Sequence, residues 1–297
     1  RPARSAAAGM AAGEPRCRPP GTLEHLRGWP GRYEVYVPVT TLGFLVLAAI
    51  ATPHWVTLYR AWRARPTDHA WHVLQIASAS MLIGLCKLLS VLAPAYWKAC
   101  FLVASVYEAS ALFAFQRMVC SYLGEPGQEA GALAATEPRK VWAVPPLCCC
   151  WLPVYPCMKR RRFSTADLCV VRALLWQFSL VAPAASAAEA SELLSARMDR
   201  VVGNIDSFSL LLAVQGLFAL LFAVEHVLPG RNIHTKFWAL KAVLVANTAV
   251  FRTCTKLPHA RLLALGGCYS PMALAAAQAS TVTVVLLVPL ALLNRRA

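Results

Sequence analysis

Charge is scarce in this 297-residue chain: 14% of residues are charged, 58% are hydrophobic, and the mean hydropathy is +0.52. That balance excludes an ordinary soluble domain and makes the chain a membrane protein. Acidic residues are the scarcest charges, 14 Asp and Glu against 29 Lys and Arg, for a net charge of +15. Such an excess raises nucleic acid as a partner. The cations, however, lie mainly between hydrophobic blocks, where the positive-inside rule and anionic lipid account for them. No nucleic-acid partner is expected. No apolar core of the kind a signal peptide needs precedes residue 36, so the first span is expected to direct insertion itself. The eleven cysteines show no even, regular spacing, which excludes a secreted disulfide framework.

Several catalytic and energising motifs are missing as well. There is no Gly-rich phosphate loop followed by Lys and Ser or Thr, so nucleotide-driven work is excluded. No His-x-x-x-His occurs, which removes the ligand pattern of a zinc-type membrane hydrolase, and the cysteine cluster lacks both a second ligand pair and an Asp-His-His-Cys arrangement. An enzyme is not expected, and neither a metal nor any other cofactor is implied. Helix number alone leaves a seven-span receptor or signalling protein as the alternative. The third span, however, carries no Asp-Arg-Tyr-like triplet at its end, and the seventh has no Asn-Pro pattern.

What is present is seven apolar blocks. A bilayer core takes about 20 predominantly apolar residues per helix, and on that measure the expected spans are Tyr36 to Tyr59, Trp71 to Leu92, Tyr96 to Leu123, Phe163 to Ala188, Asp206 to Leu228, Lys236 to Leu257 and Tyr269 to Leu293. The spacing predicts an all-α seven-helix transmembrane bundle over residues 36–295, preceded by a disordered extracellular segment, residues 1–35. Arg60, Arg63, Arg65, Arg139, Lys140, the run Lys159 to Arg162, Arg231, Lys236, Arg295 and Arg296 fall on one side. That side is expected to be cytoplasmic, with the N-terminus outside and the C-terminus inside.

The connection 124–162 is then a cytoplasmic loop, and it is the most informative stretch of the chain. It holds Cys148, Cys149 and Cys150, then Cys157, then Lys159-Arg160-Arg161-Arg162. Adjacent thiols beside a basic run at the mouth of a span suit thioacylation, with the cations meeting anionic membrane lipid. One acyl chain anchors marginally and several anchor firmly.

Taken in order, Tyr107-Glu108-Ala109, Pro145-Pro146-Leu147-Cys148-Cys149-Cys150, Val171-Arg172, and Lys236-Phe237 followed by Lys241 make the chain resemble the alpha subunit of the organic solute transporter and its seven-span relatives. The resemblance covers about residues 36–295. It departs at Val250, where the family pattern has Gln, and at Ala173, where Arg172 is usually followed by Pro. It implies facilitated diffusion of bile acids, conjugated steroids and similar amphipathic organic anions across the plasma membrane, basolateral by family. It also implies a small single-span beta subunit as partner.

Ionisable groups at membrane depth cost about 2.5 to 3.5 kcal/mol on insertion scales and so turn toward protein or a wet cavity. Glu108, near mid-span beside Tyr107, is the foremost candidate. It is read either as part of a substrate pathway or as the partner of Lys241 or Lys87. Lys241 is a pathway cation or snorkels to the surface, and Arg172 binds substrate or lipid phosphate. Lys87 and Arg252 are expected to snorkel outward. Gln177, Gln215, Asn247 and Gln278 are read as interhelical glue, Asn247 doubling as a pathway candidate. The pathway candidates are therefore Tyr107, Glu108, Arg172, Lys241 and Asn247. The acylation candidates are Cys148, Cys149, Cys150 and Cys157.

Overall fold

Hydrocarbon offers no partner to a backbone N–H or C=O, so apolar runs of this length must bond within themselves as helices. The computed structural model describes residues 33–124, 129–134, 138–144, 159–190, 196–225, 233–256 and 271–296. Among the described residues the long helices are α1 (Tyr33–Ala64), α2 (Asp68–Leu92), α3 (Trp97–Leu123), α5 (Thr165–Ala190), α6 (Ala196–Val224), α7 (Ile233–Lys256) and α8 (Pro271–Arg296). The short α4 (Glu129–Ala134) follows α3. The acylation candidates Cys148, Cys149, Cys150 and Cys157 lie outside the described residues, as does the N-terminal segment up to residue 32.

Local chemistry sets the helix ends. Thr67 caps α2 by accepting the Ala70 N–H on Oγ1 at 3.2 Å, and Asp68 complements the positive end of the dipole. Pro94–Tyr96 forms one 3₁₀ turn, which reverses the chain into α3. The far end of α3 stops at Gly124, whose φ of 132° is closed to ordinary side chains. At the start of α8, Pro271 fits because a first-turn N–H has no helical partner to lose. Ala173, where the family pattern carries Pro, leaves α5 unbroken there.

Six of these helices are long and apolar enough to cross a membrane: α1, α2, α3 with its preceding turn, α5, α6 and α8. The expected sixth span forms a helix, α7, but is more polar, carrying Lys236, Lys241, Asn247, Arg252 and Lys256. Helix α6 begins at Ala196, ten residues before the expected start, which brings Asp206 inside it. Broad apolar faces are left exposed among the described residues. On α1, Leu42 is 64% exposed, and on α5 Trp176 and Leu180 are 59% and 67% exposed, surface that only hydrocarbon or another chain would cover.

The helices form a ring in which α8 packs against α7, α1 and α2; α2 against α3; α3 against α5; and α5 against α6. The ring closes thinly, for α7 touches α3 and α6 far less than it touches α8. One large apolar core joins α3, α5 and α6, with Phe115, Leu175 and Phe218 at its centre. Two smaller ones join α1, α2 and α8, around Val91 and around Leu47 and Ile83. Hydroxyls stitch this second group: Thr40 to Thr281 at 2.7 Å and Ser90 to Ser280 at 2.8 Å. Gly84 permits the closest approach, since a Cβ there would lie 2.6 Å from Leu47 Cδ2.

Candidate functional site

The thin closure between α7 and the α3/α6 pair is where charge collects. Glu108, near the middle of α3, is 5% exposed, and its Oε1 accepts a hydrogen bond from Asn247 Nδ2 of α7. Lys87 of α2 is 1% exposed and its charge acts on Glu108. The Lys87 ammonium stands 3.2 Å above the Phe101 ring centroid, where the ring's negative face meets a cation. The expectation that Lys87 snorkels outward is therefore corrected. A lysine five residues from its helix end has the reach to snorkel, but here it is 1% exposed and lies on an aromatic face of the neighbouring helix.

Arg252 is corrected in the same way. About 7 Å further along α7 than Asn247, its Nη2 donates to the Gly203 carbonyl and lies 3.5 Å from Asp206 Oδ2, both on α6. The Asp206 charge also acts on Glu108. Glu108 with Asn247, Arg252 with Asp206, and Lys87 over Phe101 thus make a set of ionisable groups turned into the protein from α2, α3, α6 and α7. The Oδ1 of Asn247 is itself buried with no hydrogen-bond partner among the described residues. Asp206 escaped notice in the sequence because it sits at the edge of an apolar run, where an acid reads as the end of a span.

Toward the other end of α7, about 9 Å from Asn247, Lys241 does not pair with Glu108. Its Nζ lies 4.4 Å from the Phe218 centroid and 4.7 Å from that of Trp238. Phe237 packs on Phe218 at 4.6 Å and on Phe115 at 5.4 Å, so aromatic surface surrounds this half of the α6/α7 contact. Tyr107, although next to Glu108 in sequence, points elsewhere, as adjacent helical residues must. Its hydroxyl donates to the Gln75 carbonyl at 3.0 Å and bonds Ser78, which fastens α3 to α2. Arg172 stands on the exposed face of α5. Of the five pathway candidates, the fold brings Glu108 and Asn247 together, sets Lys241 further along the same helix, and leaves Tyr107 and Arg172 on other surfaces.

A second polar centre lies where the loop after α4 meets the first turn of α5. Arg139 and Arg161 exchange both backbone hydrogen bonds at 2.9 Å, closing the segment between them into a loop. The Asp167 carboxylate, 4% exposed, is the hub. It receives Arg161 Nη1 and Nη2 at 2.5 Å each, Ser164 N at 2.9 Å, Ser164 Oγ at 2.7 Å and Trp142 Nε1 at 3.1 Å. These bonds hold the Arg161 guanidinium above its ordinary pKa. Gln215 of α6 donates to the Trp142 carbonyl at 2.9 Å, so this predicted interhelical glue instead ties a helix to the loop. Arg139 reaches the last turn of α6, with Nη1 3.5 Å from the Phe222 carbonyl and 4.0 Å from Glu225 Oε2, where orphan carbonyls and the dipole favour a cation. Val141, Val144 and Phe163 then enter the main core.

Long apolar helices with opposed charges buried between them define a multi-pass membrane protein with a polar interior, and the comparison with known families makes the class specific. The profile of the family described as organic solute transporter Ostalpha matches residues 39–296, and the chain belongs to that family. It is a family of transporters, not of enzymes, and the chain is accordingly an organic solute transporter of the membrane. No curated protein and no solved structure matches it.

Proposed function

We propose that the chain moves amphipathic organic anions, bile acids and conjugated steroids among them, across the plasma membrane by facilitated diffusion, as the larger subunit of a pair with a small single-span beta subunit. The supporting observation is the charged set at the thin contact between α7 and α3/α6. Buried ionisable groups are retained at membrane depth where a pathway or a partner requires them. The path runs along that contact, with Glu108, Asn247 and Lys87 in one half and Lys241 among Phe218 and Trp238 in the other. An anion with an apolar body suits both halves: its charge exchanges with the cation's ring or carboxylate partner, and its body packs on the rings.

In this reading α7 is a seventh span whose Lys241 and Arg252 face protein rather than lipid. The N-terminus is outside and the loop 124–162 is cytoplasmic. The thiols Cys148, Cys149, Cys150 and Cys157 carry acyl chains, which acyl-exchange labelling of the wild type and of a variant with all four changed to Ser would test. Transport itself is tested by uptake of a labelled sulfated steroid into cells expressing the chain with and without a candidate beta subunit. Uptake that needs both chains and is sped by unlabelled substrate on the opposite side is expected. Accumulation above electrochemical equilibrium under an imposed sodium or proton gradient would overturn facilitated diffusion, and ligand-stimulated G-protein signalling without uptake would overturn transport.

A further inference from the structure

The four cations Lys159-Arg160-Arg161-Arg162 are not equivalent. The backbone here is extended, and side chains of an extended segment alternate. Arg161, half exposed, turns to Asp167, Phe163 is 2% exposed in the core, and Arg160 and Arg162, on either side of Arg161, are exposed. The bonds to Arg139 fix this alternation, so the two guanidiniums are displayed on one edge of a pinned segment. That edge leads directly into α5, whose exposed residues Arg172, Trp176 and Leu180 recur every four positions and so form one stripe. Arg172 is about 10 Å along the helix from Thr165. Helical side chains lean toward the helix N-terminus, the end of α5 at which Arg160 and Arg162 stand. Cations at the membrane surface thus stand above an uncovered apolar stripe, the two-part form of a phospholipid.

We infer that the Arg160/Arg162 edge and the exposed stripe of α5 form a seat for one anionic glycerophospholipid of the leaflet that α5 enters. Its phosphate lies on Arg160, Arg162 and Arg172, and an acyl chain lies along Trp176 and Leu180. This lipid stands on the exposed face of α5, away from the core that α5 shares with α3 and α6, and its binding does not depend on what the bundle carries.

The test uses the full chain purified in neutral detergent and titrated with tail-labelled phosphatidylserine or phosphatidylcholine. A basic residue near a charged lipid is worth about fivefold in affinity, so a preference of about tenfold or more for phosphatidylserine is expected. It should fall to about twofold or less in Arg160→Gln/Arg162→Gln/Arg172→Gln. It should survive in the corresponding triple Lys variant, which keeps the charge, and in Arg60→Gln/Arg63→Gln/Arg65→Gln, which removes three exposed cations elsewhere. All three variants alter exposed side chains, and monodisperse elution checks that each is folded. Equal binding of the two lipids by the wild type would overturn the proposal. So would an equal loss in the Arg60/Arg63/Arg65 variant, which would reduce the effect to net charge. Competition by soluble glycerophosphoserine as strong as by the lipid would show a phosphate site without a lipid seat, and would also overturn it.

Discussion

Replacing Asp167 by Asn keeps the shape of the side chain and removes its charge, which isolates what the carboxylate does at the loop hub. Five hydrogen bonds end on its two oxygens, two from Arg161, two from Ser164 and one from Trp142. An amide has one acceptor oxygen and turns an NH₂ toward the donors that used the other. Removing one partner of a fully buried ion pair costs about 3 to 5 kcal/mol. Arg161, however, is 50% exposed and recovers water, so most of that figure does not apply here. What remains is the weakening of charge-assisted bonds from Ser164 and Trp142 and one donor facing a donor, about 2 kcal/mol in all. In a chain of 297 residues that corresponds to a loss of about 3 °C in thermal midpoint. The damage should be local before it is global. Amide hydrogen exchange at Arg139 and Arg161, whose N–H groups are held by the backbone bridge, should quicken together, and protease cleavage between them should rise. Asp167→Asn with unchanged midpoint and unchanged protection at both amides would refute the hub.

The charged set at α7 makes a different prediction. Glu108→Gln alone removes the buried carboxylate whose charge acts on the buried Lys87, and should cut surface abundance. Lys87→Met together with Glu108→Gln should restore abundance beyond the sum of the single changes while transport stays low; strict additivity in this cycle would show that the two residues are uncoupled. At the α1/α2 crossing, Gly84→Ala puts a Cβ 2.6 Å from Leu47 Cδ2 in a fully buried site and should cost about 1 to 3 kcal/mol, with Gly84→Leu abolishing surface expression. Wild-type abundance of the Leu variant would mean that α1 and α2 do not cross there.

Much of the site was within reach of the sequence, for stated reasons. Glu108 could be singled out because a carboxylate far from both ends of an apolar run has nowhere to go but inward. Its partner could not. Lys87, Lys241 and Arg252 are all cations within snorkelling distance of a helix end, and composition cannot say which of them finds an aromatic face, which a carboxylate and which the surface. Asp167 was equally hidden, since an acid in the first turn of a helix is ordinary for the dipole, and nothing local indicates that Arg161 and Trp142 converge on it.

The sequence by itself determined that the chain enters a membrane as helices, because apolar runs of that length leave the backbone no other way to satisfy its hydrogen bonds. A few helix ends also rest on local chemistry, at Thr67, Gly124 and Pro271, whose effects act within one turn. Tertiary structure decided the rest. Hydropathy counts residues without regard to the side they face, so it ranks α7 as polar, whereas packing turns Asn247, Lys241 and Arg252 toward α3 and α6. Periodicity likewise could not separate Arg160 and Arg162 from Arg161, because only the backbone bridge to Arg139 fixes which of the three is turned to the carboxylate and which two are left facing outward.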